Sequence, residues 1–392
     1  MKLEPVTLDE RVESIDLMRG VALLGILLVN MLAFHSPFSY IDPYTWFDAA
    51  GDQTTYAFID VFVQASFYPL FAMLFGYGLG MQFLRAESRN RPFAPMAVKR
   101  LAILLLFGIL HAFLLWFGDI LITYAIMGFL LIGMMRLDSK WLLTLGVIIY
   151  AVPQALLLLI LFAAVAMDSS FYVGIQEVQN SVAAYGGGTY AEIFRQRFDD
   201  WMYSNNPLNY IVLIVTILPF TMVGAAAAKW RLIERTREMK KLWIGLAVGG
   251  FVIGLLLKLT PYLIDKNIAM TYLQDIFGGP LLAVSYAAAI ALISQNLKAA
   301  KILRPLAKAG RMSLTTYITQ SVIATTIFYS YGLGLYGQVS VLAGTLLALG
   351  IFVIQLIFAE LWLTKFNQGP LEMLWRKITY GLNFTKTNNS DN

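Results

Sequence analysis

Cysteine is absent from the 392-residue sequence, histidine occurs only twice, and charged residues make up only 14% of the chain. Without cysteine there is no disulfide, no thiolate nucleophile, no covalently attached haem and no cysteine-based zinc or iron–sulfur site. Two histidines also rule out a three-histidine metal centre, and no usable metal-ligand set remains. The charge deficit excludes more. Soluble domains carry roughly 25% charged residues. A chain with 14% charged and 58% hydrophobic residues has more apolar surface than a protein core can bury. A bilayer is its natural solvent, so a multidomain cytosolic protein, a disordered chain and a fibre are all excluded.

What is present are long apolar runs. A membrane-crossing helix needs about 20 mostly apolar residues. Ten such stretches lie near 17–36, 56–84, 99–117, 119–136, 141–167, 208–230, 241–261, 273–296, 312–331 and 340–364. The two at 99–136 are expected to form a tight hairpin closed by Gly118-Asp119. With the N-terminus placed in the cytoplasm and the sides alternating, 25 of the 29 basic residues fall on the inner side, as the positive-inside rule requires. The expected fold is therefore an all-α polytopic membrane bundle of about ten transmembrane helices with both termini cytoplasmic. The opening MKLEPVTLDERVES lacks a basic n-region and a cleavage site, and it reads as a leader to a retained helix. The tail at 383–392 is polar and expected to be flexible.

One large loop, 168–207, is expected on the outer side. Tyr190, Phe194, Phe198 and Trp201 recur there at helical spacing, which predicts an amphipathic surface helix. That helix either caps an outward-facing cavity or anchors the loop in the interface. No inverted repeat of the kind found in many secondary transporters is visible. The net charge of +5 is mild and sits at the inner membrane surface, so the bilayer is the expected partner and nucleic acid is not. Glycine-bearing helix faces suit a homodimer.

Ionisable side chains inside spans carry the functional information, because each costs about 2.5–3.5 kcal/mol at a helix centre. Asp16 and Arg19 are three apart on the first span, either as an intrahelical pair or with Arg19 turned to receive a ligand phosphate or carboxylate. Asn30 and His35 lie toward the outer end of that span. Asp60 shares a face of the second with Gln64, and Pro69 is expected to kink it. Gly76, Gly78 and Gly80 permit close packing, with no strand context for a dinucleotide site. His111 lies deep in an apolar run, with Asp119 at the turn that follows. Lys258, Asp275 and Glu360 sit near span ends. His35 and His111 alone have unperturbed pKa values suited to acid–base work near neutrality. The residues fit either acyl transfer or a proton relay.

The stretches IDLMRGVALLGILLVNM, FYPLFAMLFGYGLG, RLAILLLFGILHAFLLWFGDILITYAIMG, AGRMSLTTYITQSVI and GPLEMLWRKITY resemble the YeiB-like bacterial membrane proteins, a family of unknown function, over nearly the whole chain. More remotely, the chain is similar to the transmembrane acyltransferases. These include heparan-alpha-glucosaminide N-acetyltransferase and the bacterial enzymes that O-acetylate envelope sugars. The resemblance places Arg19-Gly20, Asn30 and His35 on the first-helix pattern, Asp60 on the aspartate opening the second, and Gly76 on its glycine-rich end. Gly310-Arg311-Met312-Ser313 with Tyr317 is similar to a Gly-x-x-Ser…Tyr element, with Gln320 where a histidine usually closes it.

This resemblance implies acyl-CoA as co-substrate, its phosphates on Arg19 and Arg100, and Gly76, Ser313 and Tyr317 beside it. His35 or His111 would be base or acyl carrier, with Asn30 orienting it and Asp60 and Asp119 completing the set. The acyl group would pass to an extracytoplasmic hydroxyl or amine, in the bacterial cell membrane. Two other functions stay open: transport of a small solute or protons past Asp60, His111 and Asp119, and a lipid- or quinone-binding scaffold.

Overall fold

A computed structural model describes residues 12–167 and 174–381. The leader, the first part of the outer loop and the tail at 383–392 lie outside the described residues. The chain runs through α1 (Glu13–His35), α2 (Ala50–Phe62), α3 (Phe67–Ser88), α4 (Ala94–Leu114) and α5 (Leu121–Met134). Then come α6 (Ser139–Ala166), α7 (Ile175–Gly187), α8 (Tyr190–Ser204), α9 (Pro207–Lys229) and α10 (Lys240–Lys258). It ends with α11 (Ile268–Ile293), α12 (Leu297–Arg311), α13 (Ser313–Phe328), α14 (Val341–Trp362) and α15 (Pro370–Tyr380). No strand occurs among the described residues, and the protein is an all-α polytopic bundle.

Eight helical segments among the described residues are long and apolar enough to cross a membrane: α1, the α2–α3 pair, α4, α6, α9, α10, α11 and α14. Two further helices lie where the sequence predicts spans but are short. α5 has 14 residues and α13 has 16, which is about 21 and 24 Å of helix at 1.5 Å per residue. The predicted span 56–84 is interrupted at Val63–Ser66, where Ala65 takes a left-handed conformation (φ 57°). The predicted two-residue hairpin turn is a longer connector, 115–120, because α4 stops at Leu114 and α5 starts at Leu121.

Helix α1 is the hub and packs on α3, α11, α12, α13 and α14. Two crossings bring backbones together through paired glycines. A Cβ on Gly20 would lie 2.0 Å from the Leu306 carbonyl oxygen, and one on Gly310 1.9 Å from that of Asp16, so α1 and α12 touch backbone to backbone. At the α3–α9 crossing, a Cβ on Gly76 would meet the Thr221 oxygen at 1.9 Å, and one on Gly224 the Met73 oxygen at 1.9 Å. Small residues are the means by which membrane helices gain dispersion contact, since lipid is as apolar as a leucine side chain.

Helices α7 and α8 form a cap over one end of the bundle. Thr189 and Glu192 close a capping box at the start of α8. Its buried face is Ile193, Arg197 and Asp200, whereas Tyr190, Phe194 and Phe198 of the predicted aromatic stripe are exposed. Arg197 is wholly buried and donates from Nη1 to the Phe113 carbonyl at 2.7 Å, tying the cap to the end of α4. Asp200 accepts from Tyr40 Oη at 2.7 Å, Tyr185 Oη at 2.6 Å and Gln196 Nε2 at 2.7 Å.

Burial raises the Asp200 carboxyl above its ordinary value of 3.8. The folded cap therefore holds this proton more tightly than the unfolded chain. Its stabilising contribution is fullest below 3.8, declines as pH rises through the raised folded value, and is flat above it. Asp200→Asn keeps an acceptor for the tyrosines and removes the titration. Thermal melts across pH are expected to lose that slope in the variant, and an unchanged slope would assign it to another group.

Candidate functional site

The deep histidine predicted on the third span is the centre of a hydrogen-bonded relay. His111 lies on the last turn of α4 and is 1% exposed. Its Nδ1 is 2.8 Å from Asp119 Oδ1, and its Nε2 is 2.8 Å from Ser321 Oγ on α13. The other carboxylate oxygen of Asp119 accepts from the Ile122 backbone N–H at 2.7 Å, one of the unpaired donors at the start of α5. Asp119 is thus fixed from two sides. The Asp–His–Ser order is the one in which a carboxylate sets an imidazole's tautomer and the other nitrogen takes a hydroxyl proton. The 115–120 connector makes this possible, since it turns Asp119 back under the helix end instead of leaving it at the surface.

A cavity of about 200 Å³ leads toward the relay from the opposite end of α4. Its mouth holds Arg19, Arg100, Arg311 and Arg376. Its walls are Phe71, Leu74, Phe75, Leu101 and Leu104, and Tyr124 and Tyr317 lie at its inner end. Tyr317 is the lid between cavity and relay: its ring lies 5.0 Å from that of His111, and its hydroxyl donates to the Gly118 carbonyl at 3.3 Å. Eleven residues of α4 separate Arg100 from His111, about 16 Å along the axis. The space therefore has a cationic opening, an apolar shaft and a proton relay behind its end, which is the shape of a site for an anionic molecule with a long, weakly polar arm.

The mouth is built by its neighbours. Arg19 pairs with Asp16 at 3.2 Å and also lines the cavity. The Arg100 guanidinium stacks 4.6 Å over the Trp375 ring and donates to Tyr380 Oη at 3.1 Å. Glu372 at the start of α15 accepts from the Leu314 and Thr315 amides at 2.7 and 3.1 Å and from Thr315 Oγ1 at 2.6 Å. This acid is spent as the N-terminal cap of α13, and burial holds its carboxyl above the ordinary carboxylate range. The arginines set the sign of the mouth.

Of the predicted residues, Arg19, Arg100, Ser313 and Tyr317 line this cavity, and His111 and Asp119 stand behind it. The others lie elsewhere. Gly76 is consumed by the α3–α9 crossing, where only backbone faces it. Gln320, in the expected histidine position, donates to Gln355 on α14 at 3.1 Å and turns away from the relay. His35 sits at the end of α1 beside Phe328, with ring centroids 5.9 Å apart, and Gly344 leaves room for its imidazole. Asn30 is half-buried one turn and a residue earlier, and neither lines the cavity.

Asp60 anchors a separate polar cluster. Its Oδ2 accepts from Gln274 Nε2 at 2.7 Å, Tyr262 Oη at 2.8 Å and Tyr44 Oη at 3.1 Å. Beside it Lys258 pairs with Asp275 at 2.7 Å and donates to the Gln64 carbonyl at 3.1 Å, one of the acceptors freed by the break between α2 and α3. Among the described residues no group of three or more Asp, Glu or His side chains is placed to hold a metal ion.

Sequence reasoning missed Ser321, Glu372 and Arg376. For Ser321 a signal existed: Ser313, Tyr317 and Ser321 are spaced by four, one face of a helix aligned with the cavity axis.

A family model described as a protein of unknown function (DUF418) matches residues 227–382. That stretch holds Arg311, Ser313, Tyr317, Ser321, Glu372 and Arg376. The chain is 35% identical to the uncharacterised protein YxaH of Bacillus subtilis (strain 168), with 96% of each chain covered. It is 29% identical to an uncharacterised 39.9 kDa protein in the amylase 3' region of Bacillus acidopullulyticus, with 97% of each covered. It is 28% identical to the uncharacterised protein YeiB of Escherichia coli (strain K12), covering 94% of this chain and 96% of that one. No solved structure matches it.

Proposed function

The chain belongs to the YeiB-like (DUF418) family of bacterial membrane proteins, and for this member we propose acyl transfer from a phosphate-bearing acyl donor to an acceptor hydroxyl or amine. The observation that carries this reading is an arginine-lined, apolar-walled cavity separated by Tyr317 from the Asp119–His111–Ser321 hydrogen-bond chain. Acyl-CoA has the matching chemistry: phosphates for the arginines and a long arm ending in a thioester for the shaft. A mouth on the cytoplasmic side agrees with the basic excess expected there and with where such donors are made, and the acceptor would then meet the site from the other side. His111 serves as the base.

Purified protein in nanodiscs, offered radiolabelled acetyl-CoA, is expected to bind it and to transfer or hydrolyse the acetyl group. Wild-type protein that does neither refutes the reading. Arg19→Gln and Arg100→Gln each remove a charged contact to phosphate and are expected to weaken binding by about tenfold, and more salt is expected to erase the difference. Equal affinity in wild type and variants would remove the mouth from the donor site.

Transport is favoured by a different observation. Asp60, Lys258 and Asp275 meet where α2 gives way to α3 and where α11 contains a π-helical segment, Gln274–Gly278. Above them a cavity of about 320 Å³ is lined by Tyr44, Tyr56, Tyr262 and Lys266. Interrupted helices around buried charge are a transporter's way of building a site. Proton-coupled uptake into proteoliposomes that disappears in Asp60→Asn would establish this second reading, and uptake that is absent or unaffected would dismiss it.

A further inference from the structure

We propose that Ser321 is the acyl-carrying nucleophile of this site, so that transfer proceeds through an acyl-serine on α13; this rests on the acyl-transfer reading above. Both nitrogens of His111 are engaged, Nδ1 by Asp119 and Nε2 by Ser321. The terminal atom of the relay, and so its point of contact with a substrate, is Ser321 Oγ. The behaviour of neighbouring hydroxyls sets this serine apart. Thr319, Thr325 and Thr326 on the same helix return their hydroxyls to carbonyls of the preceding turn, at 2.8, 2.8 and 2.7 Å, which is the usual habit of hydroxyl residues in membrane helices. Ser321 instead reaches across to another helix and places its Oγ on an imidazole held by a buried carboxylate. It lies one turn beyond Tyr317, which lines the cavity from the same helix, and is 1% exposed.

The chemistry balances with a thioester donor and a hydroxyl acceptor. Oγ attacks the acyl carbon while the carbon–sulfur bond breaks. The Oγ proton passes to His111 Nε2 and then to the departing thiolate, and Asp119 keeps its charge and holds the Nδ1 proton. In the second half the acceptor hydroxyl gives its proton to Nε2 as its oxygen bonds the acyl carbon. The Oγ–carbon bond breaks and Ser321 recovers the proton. Tyr317 must swing aside to admit the thioester, so the tyrosine gates the first half.

Two measurements on the full-length protein test this. Wild type quenched in acid after exposure to radiolabelled acetyl-CoA is expected to carry label on the peptide containing Ser321, and Ser321→Ala is expected to lose both label and at least about 10³-fold of transfer. A serine-directed fluorophosphonate is expected to mark Ser321 in wild type, weakly in Asp119→Asn and not in Ser321→Ala, whichever donor the protein uses. Marking by the fluorophosphonate without acetyl transfer keeps the nucleophile and refutes acetyl-CoA as donor. Transfer that persists in Ser321→Ala, with wild type unlabelled, overturns the nucleophile and leaves His111 acting directly. Neither labelling nor transfer in wild type overturns both.

Discussion

Asp119→Asn is expected to reduce acyl transfer by about 10⁴-fold with the bundle still folded. The amide has nearly the shape of the carboxylate, and its oxygen can keep the Ile122 N–H contact. Its –NH₂ then faces His111 Nδ1, where only a donor ring nitrogen serves the relay. The imidazole answers by carrying its proton on Nε2, and it can no longer accept from Ser321 Oγ. Turnover of acetyl-CoA, read beside the melting temperature, measures the effect. Loss of turnover with an unchanged melt marks the relay as chemical. Turnover within tenfold of wild type, or a melt that collapses with it, marks the three residues as a satisfied core contact.

Gly76→Ala is expected to have the opposite signature: a large loss of stability at any ligand concentration. The added methyl group would lie 1.9 Å from the Thr221 carbonyl oxygen, closer than any Cβ contact tolerates. The neighbour is backbone, so no rotamer change relieves it, and α3 and α9 must separate along a crossing that also holds Gly224. Over-packing of this kind costs about 1–3 kcal/mol where side chains can yield, and backbone yields less. Detergent-solubilised melts and the yield of monodisperse protein report it. If Gly76 belonged to the donor site, as the sequence resemblance implies, the alanine variant would melt normally and bind acetyl-CoA poorly.

These two residues also show which parts of the molecule were legible in the sequence. His111 stood out because an isolated imidazole in an apolar run costs insertion energy and needs a partner, and the sequence named the partner's neighbourhood, Asp119. Arg19, Arg100, Ser313 and Tyr317 were each plausible alone. Their convergence was not readable, because it depends on α12 crossing α1 closely enough to bring Gly310 against Asp16. Ser321 was hidden by its company, a helix rich in threonines that satisfy themselves locally. Asp60 is visible in the sequence as a charge, but its partners are not, since Tyr262 and Gln274 lie about 200 residues further along. His35 stood out by scarcity and by the resemblance; its ring packs beside Phe328 and against Gly344, with both nitrogens buried and without a hydrogen-bond partner.

The two short helices carry one more consequence. α5 begins two residues after Asp119, and α13 carries Ser321, and both fall short of the ~30 Å hydrocarbon core. Both are largely enclosed by the bundle: only Leu130 and Gly133 of α5 and Val322 and Thr326 of α13 are exposed, so their shortness falls on the protein interior and not on lipid. The short helices are an inner layer whose ends need not reach the membrane surfaces, and the longer helices around them insulate His111, Asp119 and Ser321 from the hydrocarbon.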